Sequence, residues 1–127
     1  MHQLVHVALV GLAGAAGTLL RAGCTSIATR LLGGGFPWGT LLVNVAGSFA
    51  FGAIMGWVRT REALPGGAES LLLVGLLGGF TTYSSYAFQS MELLEGGRTF
   101  AAAGYMLATN LLAVAAAWAG LRAAAGP

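Results

Sequence analysis

The chain has 127 residues, of which 57% are apolar and only 8% charged, against about 25% charged in soluble globular domains. Six arginines and four glutamates, with no lysine or aspartate, leave a net charge of +2, too small and too scattered for the basic face that nucleic acid requires. A single cysteine, Cys24, excludes an internal disulfide framework, so the composition defines an all-α protein of the lipid bilayer. The N-terminus carries no basic n-region, and no removable signal is expected there.

The first apolar run covers residues 4–30. It is uncharged up to Leu20 except for His6, and Arg21 follows. Leu32-Gly33-Gly34-Gly35-Phe36-Pro37 is a turn, with glycines for chain reversal and a proline suited to a helix start. The second run, 38–58, holds one amide, Asn44. Arg59 to Glu69 is a polar connector around Pro65-Gly66-Gly67. The third run is 70–91, Glu92 to Arg98 is a short loop, and the fourth run is 99–121, followed by Arg122 and a small tail. Each run is close to the roughly 20 residues that cross a bilayer. Residues 1–127 are expected to form a single four-helix transmembrane domain with no soluble domain.

The third run contains Gly78-Gly79-Phe80-Thr81-Thr82-Tyr83-Ser84-Ser85-Tyr86. Adjacent glycines favour a break in the helix at that point. A break frees backbone carbonyls, which a membrane tolerates only inside protein or beside a water-filled cavity. Free carbonyls suit a cation, whereas the four hydroxyl residues and two tyrosines that follow supply donors for an anion. One hydroxyl is expected to cap the resumed helix.

Orientation is undecided by charge. With four spans, Arg59, Arg61 and Arg122 lie on one side and Arg21, Arg30 and Arg98 on the other, so the positive-inside bias is weak. Either a partner or the insertion machinery decides, or the protein inserts both ways and pairs as an antiparallel two-fold dimer. Small-xxx-small spacings at Gly52/Gly56 and Gly75/Gly79, with Gly11, Gly14 and Gly17, give weak support to helix association between copies.

Polar residues within the spans each have two readings. Asn44 serves either a helix–helix hydrogen bond or a donor facing a pathway. Tyr105 and Thr109, four apart, share a face, with Asn110 on an adjoining one. Tyr83 and Tyr86, three apart, form either an aromatic stripe or a pathway wall. Gln89 lies one turn beyond Ser85 and Tyr86. No span has a carboxylate at its middle, which argues against a proton-coupled antiporter. No Cys/His cluster suits a transition metal, and no Ser-His-Asp set suits hydrolysis, so an enzyme is not expected. The residues alone lead to a pathway for a small anion or polar solute.

Two long segments resemble the small fluoride-channel family, Fluc, also called CrcB. Residues 36–49, FPWGTLLVNVAGSF, closely resemble the family pattern FPxGTLxVNxxGSF, and residues 78–86, GGFTTYSSY, resemble its GGxTTFSTF signature. Gly14-x-x-Gly17-x-x-x-Arg21 resembles the glycine-and-arginine pattern of the first span. The resemblance covers essentially the whole chain. It implies an antiparallel dual-topology homodimer in a bacterial plasma or inner membrane, with two pores, passive fluoride export conferring fluoride resistance, and a structural sodium ion at the dimer centre. By position, the backbone carbonyls of Gly78 and Thr81 from both subunits would hold the sodium. Asn44, Tyr83, Ser85, Tyr86, Tyr105 and Thr109 would line the fluoride pathway. Arg21 would lie at a pore mouth or anchor the dimer, and Thr40 and Gln89 would form a vestibule pair.

This chain departs from the pattern at identifiable places. Both signature phenylalanines are tyrosine, which keeps a polarised ring edge but adds a hydroxyl that needs a partner when buried. Gln89 stands where glutamate is expected, and Ala113 where the pattern has a hydroxyl. The alternatives are a small dual-topology multidrug exporter, which the lack of a membrane carboxylate disfavours, and one subunit of a heterodimeric fluoride channel.

Overall fold

The computed structural model describes residues 1–61 and 64–125. Glu62 and Ala63 of the expected connector, and Gly126 and Pro127 of the expected tail, lie outside the described residues.

The apolar runs become helices. α1 spans His2–Leu32, α2 Trp38–Thr60, α3 residues 68–80, α4 Tyr83–Glu95 and α5 Thr99–Ala125. Together α3 and α4 make one apolar stretch, Ala68–Glu95, and this stretch with α1, α2 and α5 gives four segments long and apolar enough to cross a membrane. At about 1.5 Å per residue, even the 23 residues of α2 exceed the hydrocarbon thickness of roughly 30 Å. The helices extend past their apolar runs because hydrogen bonding continues into the interfacial residues. α1 stops at Gly33, whose φ of 84° is open to a residue without a side chain and whose N–H donates to the Thr29 carbonyl at 3.0 Å.

Two helix pairs pack most closely, α2 with α5 and α1 with α3. Glycine makes both approaches possible. A Cβ on Gly52 would strike the Ala117 carbonyl, one on Gly56 the Leu121 carbonyl, and one on Gly120 the Phe49 carbonyl. Between α1 and α3, a Cβ on Gly17 would strike the Leu76 carbonyl and one on Gly79 the Gly14 carbonyl. Gly52/Gly56 and Gly75/Gly79, with Gly14 and Gly17, are therefore used inside one chain, whereas an added Cβ on Gly11 would meet nothing within 4 Å. Close approach of backbones replaces the hydrophobic effect as the cohesive term where lipid is the surrounding solvent.

The glycine pair of the third span behaves differently from expectation. Gly78 is helical, with φ −61° and ψ −38°, and Gly78–Phe80 completes a turn of α3 after the π-helical stretch Leu71–Leu77. The residues outside helical geometry are Thr81 (φ −87°, ψ 158°) and Thr82 (φ −153°, ψ 117°). Gly79 is needed for contact with α1, not for backbone freedom.

The interior is small. Leu41, Tyr86, Leu93, Ala102 and Tyr105 form the buried cluster, and the largest fully buried side chain is Tyr105. Large apolar residues such as Leu12, Leu19, Phe100 and Leu111 face outward, the arrangement hydrocarbon permits and water does not.

The α2–α5 seam gives a direct check. Gly52→Ala places a methyl group against a backbone carbonyl and should cost about 1–3 kcal/mol. Gly35→Ala, where nothing lies within 4 Å of the added Cβ, should stay within about 0.5 kcal/mol. Unfolding titrations in mixed detergent micelles measure both, and equal stabilities would contradict the seam.

Candidate functional site

The site begins where α3 gives way to α4. Helical continuation would pair the Thr82 N–H with the Gly78 carbonyl. Instead it donates to Asn44 Oδ1 of α2 at 2.8 Å, and Asn44 Nδ2 donates back to the Thr82 carbonyl at 3.0 Å. A peptide N–H can only donate and a peptide carbonyl only accept, so the amide orientation is fixed by its partners. Both readings of Asn44 meet here. It makes the interhelical hydrogen bond, and one N–H of its Nδ2 remains beyond the bond to Thr82.

Thr82 caps α4. Its Oγ1 accepts from the Ser85 N–H at 3.3 Å and donates to Ser85 Oγ at 3.0 Å. The hydroxyl expected to cap the helix is thus Thr82, and Ser85 is its partner. On the α3 side, the Thr81 N–H and Oγ1 both donate to the Leu77 carbonyl, each at 3.0 Å. Arg21 reaches from α1 and donates from Nε to the Gly79 carbonyl at 3.1 Å. A cation at the C-terminal end of α3 meets the negative pole of that helix and satisfies a carbonyl the helix leaves open. Two further carbonyls, those of Gly78 and Thr81, receive no donor among the described residues.

Beside this junction lies a cleft of about 430 Å³ between α2, α3, α4 and α5. Its polar lining comprises Asn44, Ser48, Thr81, Thr82, Tyr83, Tyr86, Thr109 and Asn110, with Phe51, Leu77, Ala113, Val114 and Ala117 among the apolar lining. The fold therefore brings together Asn44, Tyr83, Tyr86 and Thr109 of the expected pathway. Thr109 is buried, and its Oγ1 has no hydrogen-bond partner among the described residues. Ala113 reaches the same cleft as apolar wall.

Tyr105 and Ser85 stand elsewhere. Tyr105 is fully buried, its ring packed at 5.4 Å from both Phe36 and Tyr86, and its hydroxyl donates to Gln89 Oε1 at 3.0 Å. Tyr83, Tyr86, Tyr105, Phe36 and Trp38 form one continuous aromatic row, with neighbouring centroids 4.6 to 5.4 Å apart. At its far end is a second cleft of about 340 Å³, lined by Thr40 and Gln89 with Thr25, Thr29, Glu92 and Arg98. Thr40 and Gln89 thus share a cavity, and the aromatic row runs from one cavity toward the other. Arg98 donates to the Gly35 carbonyl in the turn between α1 and α2.

Asn110 is a residue that sequence reasoning did not place on the pathway. Its Nδ2 donates to the Tyr86 hydroxyl at 2.8 Å and to the Met106 carbonyl at 2.7 Å. The available signal is the tyrosine itself, since a phenolic hydroxyl buried in an apolar bundle needs a polar partner.

An all-helical bundle with apolar outer faces, and with two clefts that carry polar groups among its helices, is a multi-pass integral membrane protein. Comparison with known proteins narrows this class. A family model described as CrcB-like protein, Camphor Resistance (CrcB), matches residues 8–121, and the chain belongs to that family. A protein of Anaeromyxobacter dehalogenans named fluoride-specific ion channel FluC is 46% identical over 116 residues, covering 91% of this chain and 92% of the relative. Proteins of the same name from Nitratidesulfovibrio vulgaris and Thermus thermophilus are 42% identical over 115 residues and 43% over 114. They cover 91% and 90% of this chain, and 93% and 90% of their own lengths.

The Asn44 clamp carries its own prediction. Asn44→Ala leaves both polar groups of the Thr82 peptide without their partner and should destabilise by about 1–3 kcal/mol. Deuterium uptake at residues 82–86 in nanodiscs should rise while uptake in α1 stays unchanged. Unaltered exchange at the junction would contradict the clamp.

Proposed function

We propose that the protein is a fluoride-selective channel giving passive export of the ion, without a chemical step, and that it works as an antiparallel dual-topology homodimer. One observation carries the reading. The cleft at the α3–α4 junction offers neutral hydrogen-bond donors and ring edges, and none of its lining residues is a carboxylate. Fluoride enters a low-dielectric path only if donors replace its hydration, and a fixed negative charge there would oppose entry. Asn44, Tyr86 and Thr109 are suited to that replacement, with the Tyr83 ring beside them at 5.3 Å from Tyr86. The relatives named as fluoride-specific channels, alike over nine-tenths of the chain, support the same ion.

In this reading the two cavities are successive stations. Thr40 and Gln89 receive the ion at one mouth, and the aromatic row of Tyr105, Tyr86 and Tyr83 presents positive ring edges between the stations. Ser85 supports the turn through Thr82. Gln89 serves the vestibule as a neutral amide, in a lining that also holds the opposite charges of Glu92 and Arg98.

Two features support the dimer. The arginines balance, three against three across the two sides, which permits insertion both ways. The Gly78 and Thr81 carbonyls also fit a hard monovalent cation. They are oxygen ligands three residues apart, without donors from the described residues, and Gly78 is exposed on the single chain. Two carbonyls are half a coordination shell, and a second copy across a two-fold axis would complete it. The resident ion would be sodium, supplying positive charge that ties the two junctions together. Arg21, holding the adjacent Gly79 carbonyl, keeps this segment in place.

Purified protein in liposomes tests the reading. Fluoride-loaded vesicles with a potassium ionophore for charge balance should release fluoride rapidly and chloride at the rate of empty vesicles. Tyr86→Ala should lower fluoride release at least tenfold while the protein still elutes as a dimer. Efflux equal to that of protein-free vesicles would remove the assignment. Dimer melting that is unchanged when sodium is exchanged for N-methylglucamine would remove the structural cation.

A further inference from the structure

We propose that the Tyr86 hydroxyl donates a hydrogen bond directly to the anion in the cleft, and that Asn110 is the positioning residue that aims it. The proposal rests on the channel reading and assigns one of its ligands.

Which groups can donate follows from their partners. The Met106 carbonyl only accepts, and it lies 2.7 Å from one terminal atom of the Asn110 amide. That atom is therefore the nitrogen, and the same nitrogen lies 2.8 Å from the Tyr86 hydroxyl oxygen. Tyr86 must accept from Asn110. Its own hydroxyl proton is then left over, and among the described residues it has no acceptor. Tyr86 is only 8% exposed and lines the cleft.

A second group in the same cleft has the same deficit. Thr109 precedes Asn110 in α5, is 6% exposed, and its Oγ1 has no partner among the described residues. Both residues line the one cavity, with the α4 tyrosine and α5 threonine on opposing helices. Two buried O–H groups that lack acceptors in a common cavity are complementary to an acceptor that brings no proton of its own. A monatomic anion meets that requirement, whereas a cation does not. Buried donors left unpaired are costly, so an anion that accepts from both hydroxyls is favoured there.

Asn110 also accounts for the tyrosine. A phenylalanine at residue 86 could offer only its ring edge. With tyrosine there, an unpaired phenol would rotate freely between acceptor and donor roles. The Asn110 amide occupies the acceptor side and leaves the donor side for the cleft. The α4 aromatic residue thereby becomes a hydrogen-bond ligand held from α5.

The test uses the full chain in liposomes, with initial fluoride efflux measured over a range of internal fluoride concentrations. Tyr86→Phe keeps the ring and removes one oxygen, and should raise the half-saturating fluoride concentration about tenfold, as loss of one hydrogen bond to an ion implies. Asn110→Ala should raise it several-fold. In the Tyr86→Phe background, Asn110→Ala should add nothing, because its effect runs through the missing hydroxyl. Half-saturation within twofold of the unaltered chain in Tyr86→Phe overturns the proposal. So does an Asn110→Ala effect that persists undiminished without the hydroxyl. If Asn110→Ala does not fold, the near-isosteric Tyr86→Phe result decides alone. Loss of the proposal with a fluoride-conducting unaltered chain leaves the channel reading intact, whereas no efflux from the unaltered chain removes both.

Discussion

The grip of Asn44 on the Thr82 peptide is the interaction on which the rest of the site depends. Two extended residues in an otherwise helical, apolar stretch expose an N–H and several carbonyls. In hydrocarbon each would cost several kcal/mol without a partner. Asn44 takes both polar groups of one residue, at 2.8 and 3.0 Å. Arg21 of α1 takes the Gly79 carbonyl. α1 and α2 thus both hold the α3–α4 junction, and the carbonyls of Gly78 and Thr81 are among those left without a donor from the described residues.

This grip requires α1 and α2 to stand close to α3. The approach is made by glycines rather than by large apolar side chains, because lipid offers no hydrophobic incentive for helices to associate. Gly17 and Gly79 bring the α1 and α3 backbones together where Arg21 reaches the Gly79 carbonyl, and Gly47 on α2 leaves room for Thr81 and Phe80 beside the turn that Asn44 holds. A Cβ on Gly47 would meet the Thr81 methyl group. Packing and the cleft therefore meet at the same turn: Gly47 lines the cleft and leaves room for Thr81 and Phe80.

Much of this was legible in the sequence, for reasons that differ from residue to residue. The four spans follow from hydropathy because a membrane segment must satisfy its backbone internally. Asn44 stood out because an amide in hydrocarbon needs partners, and the hydroxyl-rich stretch after the glycine pair marked the region of the cleft. The roles within that region were harder to read. Gly78 and Gly79 suggest backbone freedom, yet a glycine kept for close contact looks the same in sequence. The spacing of Gly52 and Gly56 fits a seam within the chain as well as one between copies. The pairing of Tyr86 with Asn110 joins residues 24 positions apart, and no periodicity connects two helices whose relative rotation is set by packing. The buried phenol gave the need for a partner but not its identity.

The cleft of neutral donors should select fluoride over chloride. The most direct measurement is the reversal potential of currents through the reconstituted protein, with fluoride on one side of a bilayer and chloride on the other. A fluoride-selective path predicts reversal far toward the fluoride equilibrium potential, unmoved by raising chloride. Reversal near zero, or a shift that follows chloride, would contradict it.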